Sequence, residues 1–282
     1  MNIKRLGAVL AAAVISVSVV TVTAFAAGTR VPINEKYFPD EIFREYVKQF
    51  DTDRNGSLSQ KERDAVTEID VIGKGIKSLT GLSYFKNLET LECSTNELKR
   101  LNVSKNIKLK KLYCGENKIA SLDVSKNTQL ERLACYINEL KSLDVSKNAK
   151  LKYFDCCSNK LESLDVSKNI ALEYLDCFDN KLTELDTSKN AKLEDLNCNM
   201  NRLTKLDLSD NKMLKVFSCS YNEIAEIDIS QNTELIFFDC SSNKLTSLDA
   251  SRNTKLEWLW CDGNEITSLN INKNTKLNEY DG

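Results

Sequence analysis

From Leu88 onward the apolar residues keep one frame, LxxLxCxxNxLxxLDVSKNxx, which recurs nine times with no insertion or deletion. The units begin at Leu88, Leu109, Leu130, Leu151, Leu172, Leu193, Leu214, Leu235 and Leu256, and a partial tenth runs from Leu277 to Gly282. With the first leucine of each unit as slot 1, the inward set is slots 1, 4, 6, 11, 14 and 16. The alternation around slots 4 and 6 predicts a short strand whose slots 3, 5 and 7 face outward, because successive strand side chains take opposite faces. A fixed period means one supersecondary unit per coil, stacked on its neighbours into a solenoid. Parallel strands of successive coils then lie ~4.8 Å apart, and ten coils make a rod of roughly 48 Å. The back half of each unit leaves no room for a full helix, so extended or 3₁₀ segments are expected there.

Two polar columns are invariant. Asparagine fills slot 9 from Asn96 to Asn264 and slot 19 from Asn106 to Asn274. Buried turns leave backbone donors and acceptors unpaired, and a carboxamide can satisfy both kinds, so these columns read as structural. Cysteine fills slot 6 nine times from Cys93 to Cys261. In-register side chains point the same way, which opposes the dihedral near 90° that a disulfide needs. Buried free thiols acting as small hydrophobes are expected, and a zinc site is not, with neither histidine nor four-ligand clustering present. The tenth cysteine, Cys157, falls at outward slot 7 and is expected to be the reactive one.

The frame resembles the leucine-rich repeat: LxxLxCxxNxL carries that family's strand signature, with cysteine in the third apolar slot, and LxxLDVSKN repeats the rhythm. It is similar to the bacterial 21-residue subclass, which includes the internalin-type surface proteins. The resemblance covers roughly residues 66–282: a 22-residue variant at 66–87, nine repeats at 88–276 and the partial repeat at 277–282. It implies a mainly β repeat solenoid with a parallel strand ladder and an adhesin-like protein-binding role; a binding module, not an enzyme, is the expectation.

Residues 1–27 have a different character. Lys4 and Arg5 precede an apolar run from Leu6 to Val20, and Ala24-Phe25-Ala26 supplies small residues for cleavage. This is the pattern of a secretory signal peptide, so the protein is expected outside the cell or on its surface. Residues 28–65 read as a small helical cap, with Phe43, Tyr46, Val47 and Phe50 at helical spacing after Pro39. Residues 51–62, DTDRNGSLSQKE, resemble the calcium loop of an EF-hand at every liganding position. Asp51, Asp53 and Asn55 take loop positions 1, 3 and 5, and Gly56 the sharp turn. Ser57 contributes a carbonyl, Ser59 a water-bridged contact and Glu62 a bidentate carboxylate. Ser59 and Glu62 also form a capping box for the next helix. A single calcium ion is expected, weakly held, fixing the cap over the solenoid's N-terminal end.

Composition narrows the function classes. The sequence has no histidine, which removes histidine catalysis and histidine metal sites. The leader takes two of the 39 basic residues and none of the 41 acidic ones, leaving a net charge of −4. Charges are mixed, with no basic stripe for nucleic acid. No second apolar stretch follows the leader, so no membrane span is expected.

Constant slots build a fold, and variable slots carry function. The outward slots gather Tyr113, Tyr136, Tyr153, Asp155, Tyr174, Asp176, Phe178, Phe237, Asp239, Trp258 and Trp260, a face rich in aromatics and acids. Contiguous exposed aromatics mark interaction surfaces. A protein ligand is the first expectation. A carbohydrate or cell-wall glycan is the alternative, since aromatic platforms with carboxylates also suit sugars. A remoter reading is a glycoside hydrolase using Asp155 and Asp176, one coil apart and near the ~5 Å of retaining enzymes. Nothing in the sequence gives that pair a pocket or two distinct environments. On the back half, slot 15 stacks aspartates from Asp123 to Asp249 near the slot-18 lysines, which reads as a self-compensating charge ladder.

Overall fold

The computed structural model describes residues 30–281, so the leader read as a signal peptide lies outside the described residues. From Glu68–Asp70 to Glu279–Asp281, eleven three-residue strands form one parallel sheet. Through the repeats, partners lie one coil apart: Arg132 pairs with Tyr153, Tyr153 with Tyr174 and Tyr174 with Asp195. The column continues through Val216 and Phe237 to Trp258. A slip of one residue would turn the leucines to solvent, so the apolar frame fixes this register. Slots 1, 4, 6, 11, 14 and 16 make one continuous core, as in Leu130, Leu133, Cys135, Leu140, Leu143 and Val145. Phe154, Phe217 and Phe238 replace leucine at slot 4 and remain fully buried, the last two with rings stacked at 5.2 Å. All ten cysteines are free, and the nine at slot 6 are buried. The expected back half is found: turns, two short strand pairs (Leu101–Asn102 with Leu122–Asp123, Ser247–Asp249 with Ser268–Asn270), and a 3₁₀ turn at Leu82–Tyr84 in the 22-residue variant.

The two asparagine columns behave differently. At slot 9, Asn138 Nδ2 reaches the carbonyls of Cys114, Cys135 and Tyr136 at 3.0–3.1 Å, while its Oδ1 accepts from Ile119 N at 2.9 Å. One carboxamide thus sews two coils together. At slot 19, Asn148 Nδ2 donates to Val124 O and Asn127 O at 3.1 and 2.9 Å, but its Oδ1 has no partner among the described residues. The expectation that both columns satisfy donors and acceptors alike is corrected here, because the slot-16 side chain of the preceding coil is usually apolar. Where it is Thr187, its Oγ1 donates to Asn211 Oδ1 at 2.7 Å.

The slot-15 aspartates do more than face the slot-18 lysines, whose charge also lowers their carboxyls. Asp123, Asp144 and Asp165 each accept the backbone N–H two residues ahead, at 2.8–2.9 Å. They are turn caps, and that bonding to the following serine holds their carboxyls low. Within the repeats, direct ion pairs run up other slots between neighbouring coils, as in Lys110–Glu89 and Lys215–Glu194 at 2.7 Å and Lys244–Glu223 at 2.9 Å.

At the N-terminal end, β1 (Val31–Pro32), α1 (Glu41–Val47), β2 (Ser57–Leu58) and α2 (Gln60–Ala65) close over the first coil. Asp40 joins the two parts. Its Oδ1 caps α1 through Phe43 N at 3.0 Å, and its Oδ2 accepts Lys77 N and Ser78 N at 2.8 and 3.2 Å. Phe38 is fully buried and presses on Gly81, where φ is +107° and a Cβ would lie 2.4 Å from the ring. Phe50 meets Phe85 edge-on at 5.5 Å, and Tyr46 Oη accepts from Asp70 N at 3.0 Å.

Candidate functional site

The loop between α1 and α2 brings Asp51, Asp53 and Glu62 together, each offering a carboxylate oxygen within 4.8 Å of the others. Left-handed backbone at Arg54 (φ 55°) and Gly56 (φ +80°) turns the chain tightly enough to do this. Asp51 accepts Asn55 N and Gly56 N at 3.2 and 2.7 Å, and Asn55 Nδ2 bonds to Asp53 Oδ1. Glu62 Oε1 accepts from Thr52 N and Oγ1, and Oε2 from Ser59 N and Oγ, all at 2.7–2.8 Å. The Ser59 bonds, with those from Thr52, hold its carboxyl down at about 2. Ser59 caps α2 in the expected box, and Ser57 lies in β2, whose Leu58 pairs antiparallel with Val31. β1 and β2 thus make a two-stranded antiparallel pair beside the loop.

On the strand face, Tyr153 and Tyr174 stack with ring centroids 4.3 Å apart and 7° between planes. The Arg132 guanidinium sits over Tyr153 at 5.4 Å. Farther along, Phe237 and Trp260 meet edge-on at 5.0 Å, and Trp258 and Trp260 are 36% and 38% exposed. Tyr113, Tyr136 and Phe178 are half-buried, and the Tyr136 ring lies over Gly115, whose missing Cβ makes room for it. Arg132 and Asp195 share the slot-3 column with the tyrosines.

The acids of this face are less free than their slots suggest. Asp155 and Asp176 accept Cys157 N and Phe178 N at 3.1 and 2.9 Å, again as turn caps. Asp239 is only 8% exposed and is taken up by Ser241 N and Oγ, so its place on an open binding face is corrected. Burial raises the carboxyls of Asp155 and Asp176. Burial and the charge of Asp176 lift Asp195 to about 6. The Cys157 sulfur lies within 4.8 Å of Asp155 and Asp176 oxygens. Burial and those two charges push its thiol far up. Cys157 is the one cysteine that is not buried, as its outward slot implies, but its raised thiol opposes the thiolate, which is the reactive form.

Among solved structures, InlJ from Listeria monocytogenes, whose functional domain includes a cysteine ladder, matches 90% of this chain at 33% identity and TM-score 0.69. The chain folds as a leucine-rich-repeat solenoid, and its structural neighbours include internalins. It spans 64% of the InlJ chain it matches. A leucine-rich-repeat protein of Leptospira interrogans shares the fold at TM-score 0.70 and 20% identity, over 79% of this chain and 62% of that one. The internalin InlF of Listeria monocytogenes does so at TM-score 0.55 and 19% identity, over 90% and 98%. No protein-family model and no curated protein matches the sequence. Within this leucine-rich-repeat solenoid, no helix of the described residues is long and apolar enough to cross a membrane.

Proposed function

We propose that this chain is a secreted or surface-associated module that captures a protein ligand on its strand face and holds one structural calcium ion in its cap. The observation that carries the first part is the run of half-exposed and exposed rings on a rigid ladder: Arg132 over Tyr153, Tyr153 stacked on Tyr174, and Phe237 against Trp260. Rings held by the sheet before binding lose little entropy on contact, and aromatics dominate interface energies. A glycan reading draws on the same tyrosine stack beside Asp155 and Asp176. Exposing the protein to arrays of host proteins and of glycans separates the two. Selective protein capture that weakens in a Trp258→Ala/Trp260→Ala variant supports the first reading; glycan capture alone overturns it. Catalysis is disfavoured because burial moves Asp155 and Asp176 in the same direction, whereas a retaining pair needs one acid high and one low.

For calcium, the support is an all-oxygen donor set gathered by one tight loop, the chemistry of a hard cation. Asp51, Asp53, Asn55 and Glu62 would hold it with side chains, Ser57 with its carbonyl and Ser59 through water. Bound there, the ion ties the loop to α2 and α2 to the first coil. Calorimetric titration with calcium tests this, and no heat at millimolar calcium would overturn it.

A further inference from the structure

Between α2 and the first coil lies a cavity of about 660 Å³ that neither the strand face nor the calcium loop uses. Its walls bring together Arg30, Arg63, Lys86 and Lys105 with Tyr37 and Tyr84, and no carboxylate lines it. Arg63 is the unusual member. It is only 5% exposed, its Nη2 donates to Gln60 Oε1 at 2.7 Å, and its buried Nε has no partner among the described residues. Arg30 is paired with Asp53 at 3.3 Å. No carboxylate stands within 4.0 Å of the charged ends of Arg63, Lys86 or Lys105 among the described residues.

A guanidinium cannot shed its proton to escape burial. Buried charges persist in folded proteins when something pairs with them. The other charged side chains lining the cavity are all positive, so the partner the site calls for is an anion from outside. The planar fork of Arg63, with ammonium groups arriving from the segment after the 3₁₀ turn and from the first slot-18 position, suits an oxyanion with several oxygens better than a spherical ion. The cavity also has room for more than a free ion, being the size of a small-molecule pocket, and the two tyrosines give it an apolar wall.

We propose that this cavity binds the phosphate or sulfate monoester of a small organic body, with Arg63, Lys86 and Lys105 holding the oxyanion and Tyr37 and Tyr84 flanking the rest. The test uses the purified protein kept calcium-free with chelator. Inorganic phosphate, inorganic sulfate and glucose 6-phosphate are titrated by calorimetry and thermal melting against sodium chloride of matched ionic strength. The expected result is saturable binding absent from the chloride control, with glucose 6-phosphate at least threefold tighter than inorganic phosphate. Arg63→Gln should weaken it at least tenfold, yet melt no lower than the parent in chloride, because it removes a buried unpaired charge. The exposed double variant Lys86→Ala/Lys105→Ala should weaken it at least threefold with an unchanged circular dichroism spectrum. A rise in melting temperature equalled by chloride, or binding undiminished in both variants, overturns the site. Inorganic phosphate binding more tightly than glucose 6-phosphate overturns the ester and leaves a free-ion site.

Discussion

The cap loop and the strand face both crowd carboxylates together, with opposite consequences. In the loop, Glu62 is surrounded by four donors from Thr52 and Ser59, and its carboxyl falls to about 2. On the face, Asp195 is half-buried beside Asp176, and its carboxyl rises to about 6. The loop is arranged so that Glu62 stays charged well into acid. The face holds acids whose charge is costly until something positive or hydrogen-bond-donating arrives. The first arrangement suits a standing ion and the second a transient partner.

The largest effect expected from this contrast belongs to the loop. At a hundred times its dissociation constant, calcium bound only by the folded cap adds about 2.7 kcal/mol. Thermal melts with calcium and with chelator read this, and Asp51→Ala or Glu62→Gln should erase the difference while the strand signal persists. Because Glu62 titrates lower folded than its usual 4.5, its contribution is full above that pH and is lost as pH falls toward 2. Melts at pH 5, 4 and 3 should record that decline, and a flat profile would break the contrast.

On the face, Trp258→Ala/Trp260→Ala should weaken ligand capture tenfold, about 1.4 kcal/mol, with the melting temperature unmoved. Asp195→Asn should raise stability at pH 7 by up to about 1 kcal/mol, allowing for solvent screening. The sign is opposite to that of Glu62. An acid raised from 3.8 to about 6 gives stability below pH 3.8 that disappears as pH rises to 6. Urea melts at pH 4.5 and 7 should therefore converge in the variant. The smallest effect comes from a site in neither region. Val124→Thr places a hydroxyl where Thr187 has one, giving Asn148 Oδ1 a donor, and should add about 0.5–1 kcal/mol in urea unfolding. It should leave the calcium response and the pH profile unchanged.

The solenoid was legible because its inward slots repeat: a leucine every coil at slot 1, with leucine or isoleucine at slots 11 and 14, allows one register only. The loop residues were legible because ligand positions in a tight loop are local in sequence. What stayed hidden depends on where a polar atom points once the turn is made. Slot arithmetic puts Asp155 and Asp239 outward, but cannot say that each reaches a backbone N–H two residues on. It names the slot-15 aspartates and slot-18 lysines as neighbours, though the aspartates spend their oxygens on serine N–H groups. Nothing local in the sequence marks Arg63, on a short helix, as buried.

The in-register ladder also has a mechanical meaning. Its backbone hydrogen bonds lie along the line joining the cap to the last strand, so tension applied between those ends opens them one coil at a time instead of shearing all together. A coil occupies ~4.8 Å of the rod but contains 21 residues. Pulled straight, that length of chain reaches roughly 70 Å. A molecule of this build yields slack in equal instalments at nearly constant force and winds it back when the load is released, which makes the rod a spring as well as a scaffold.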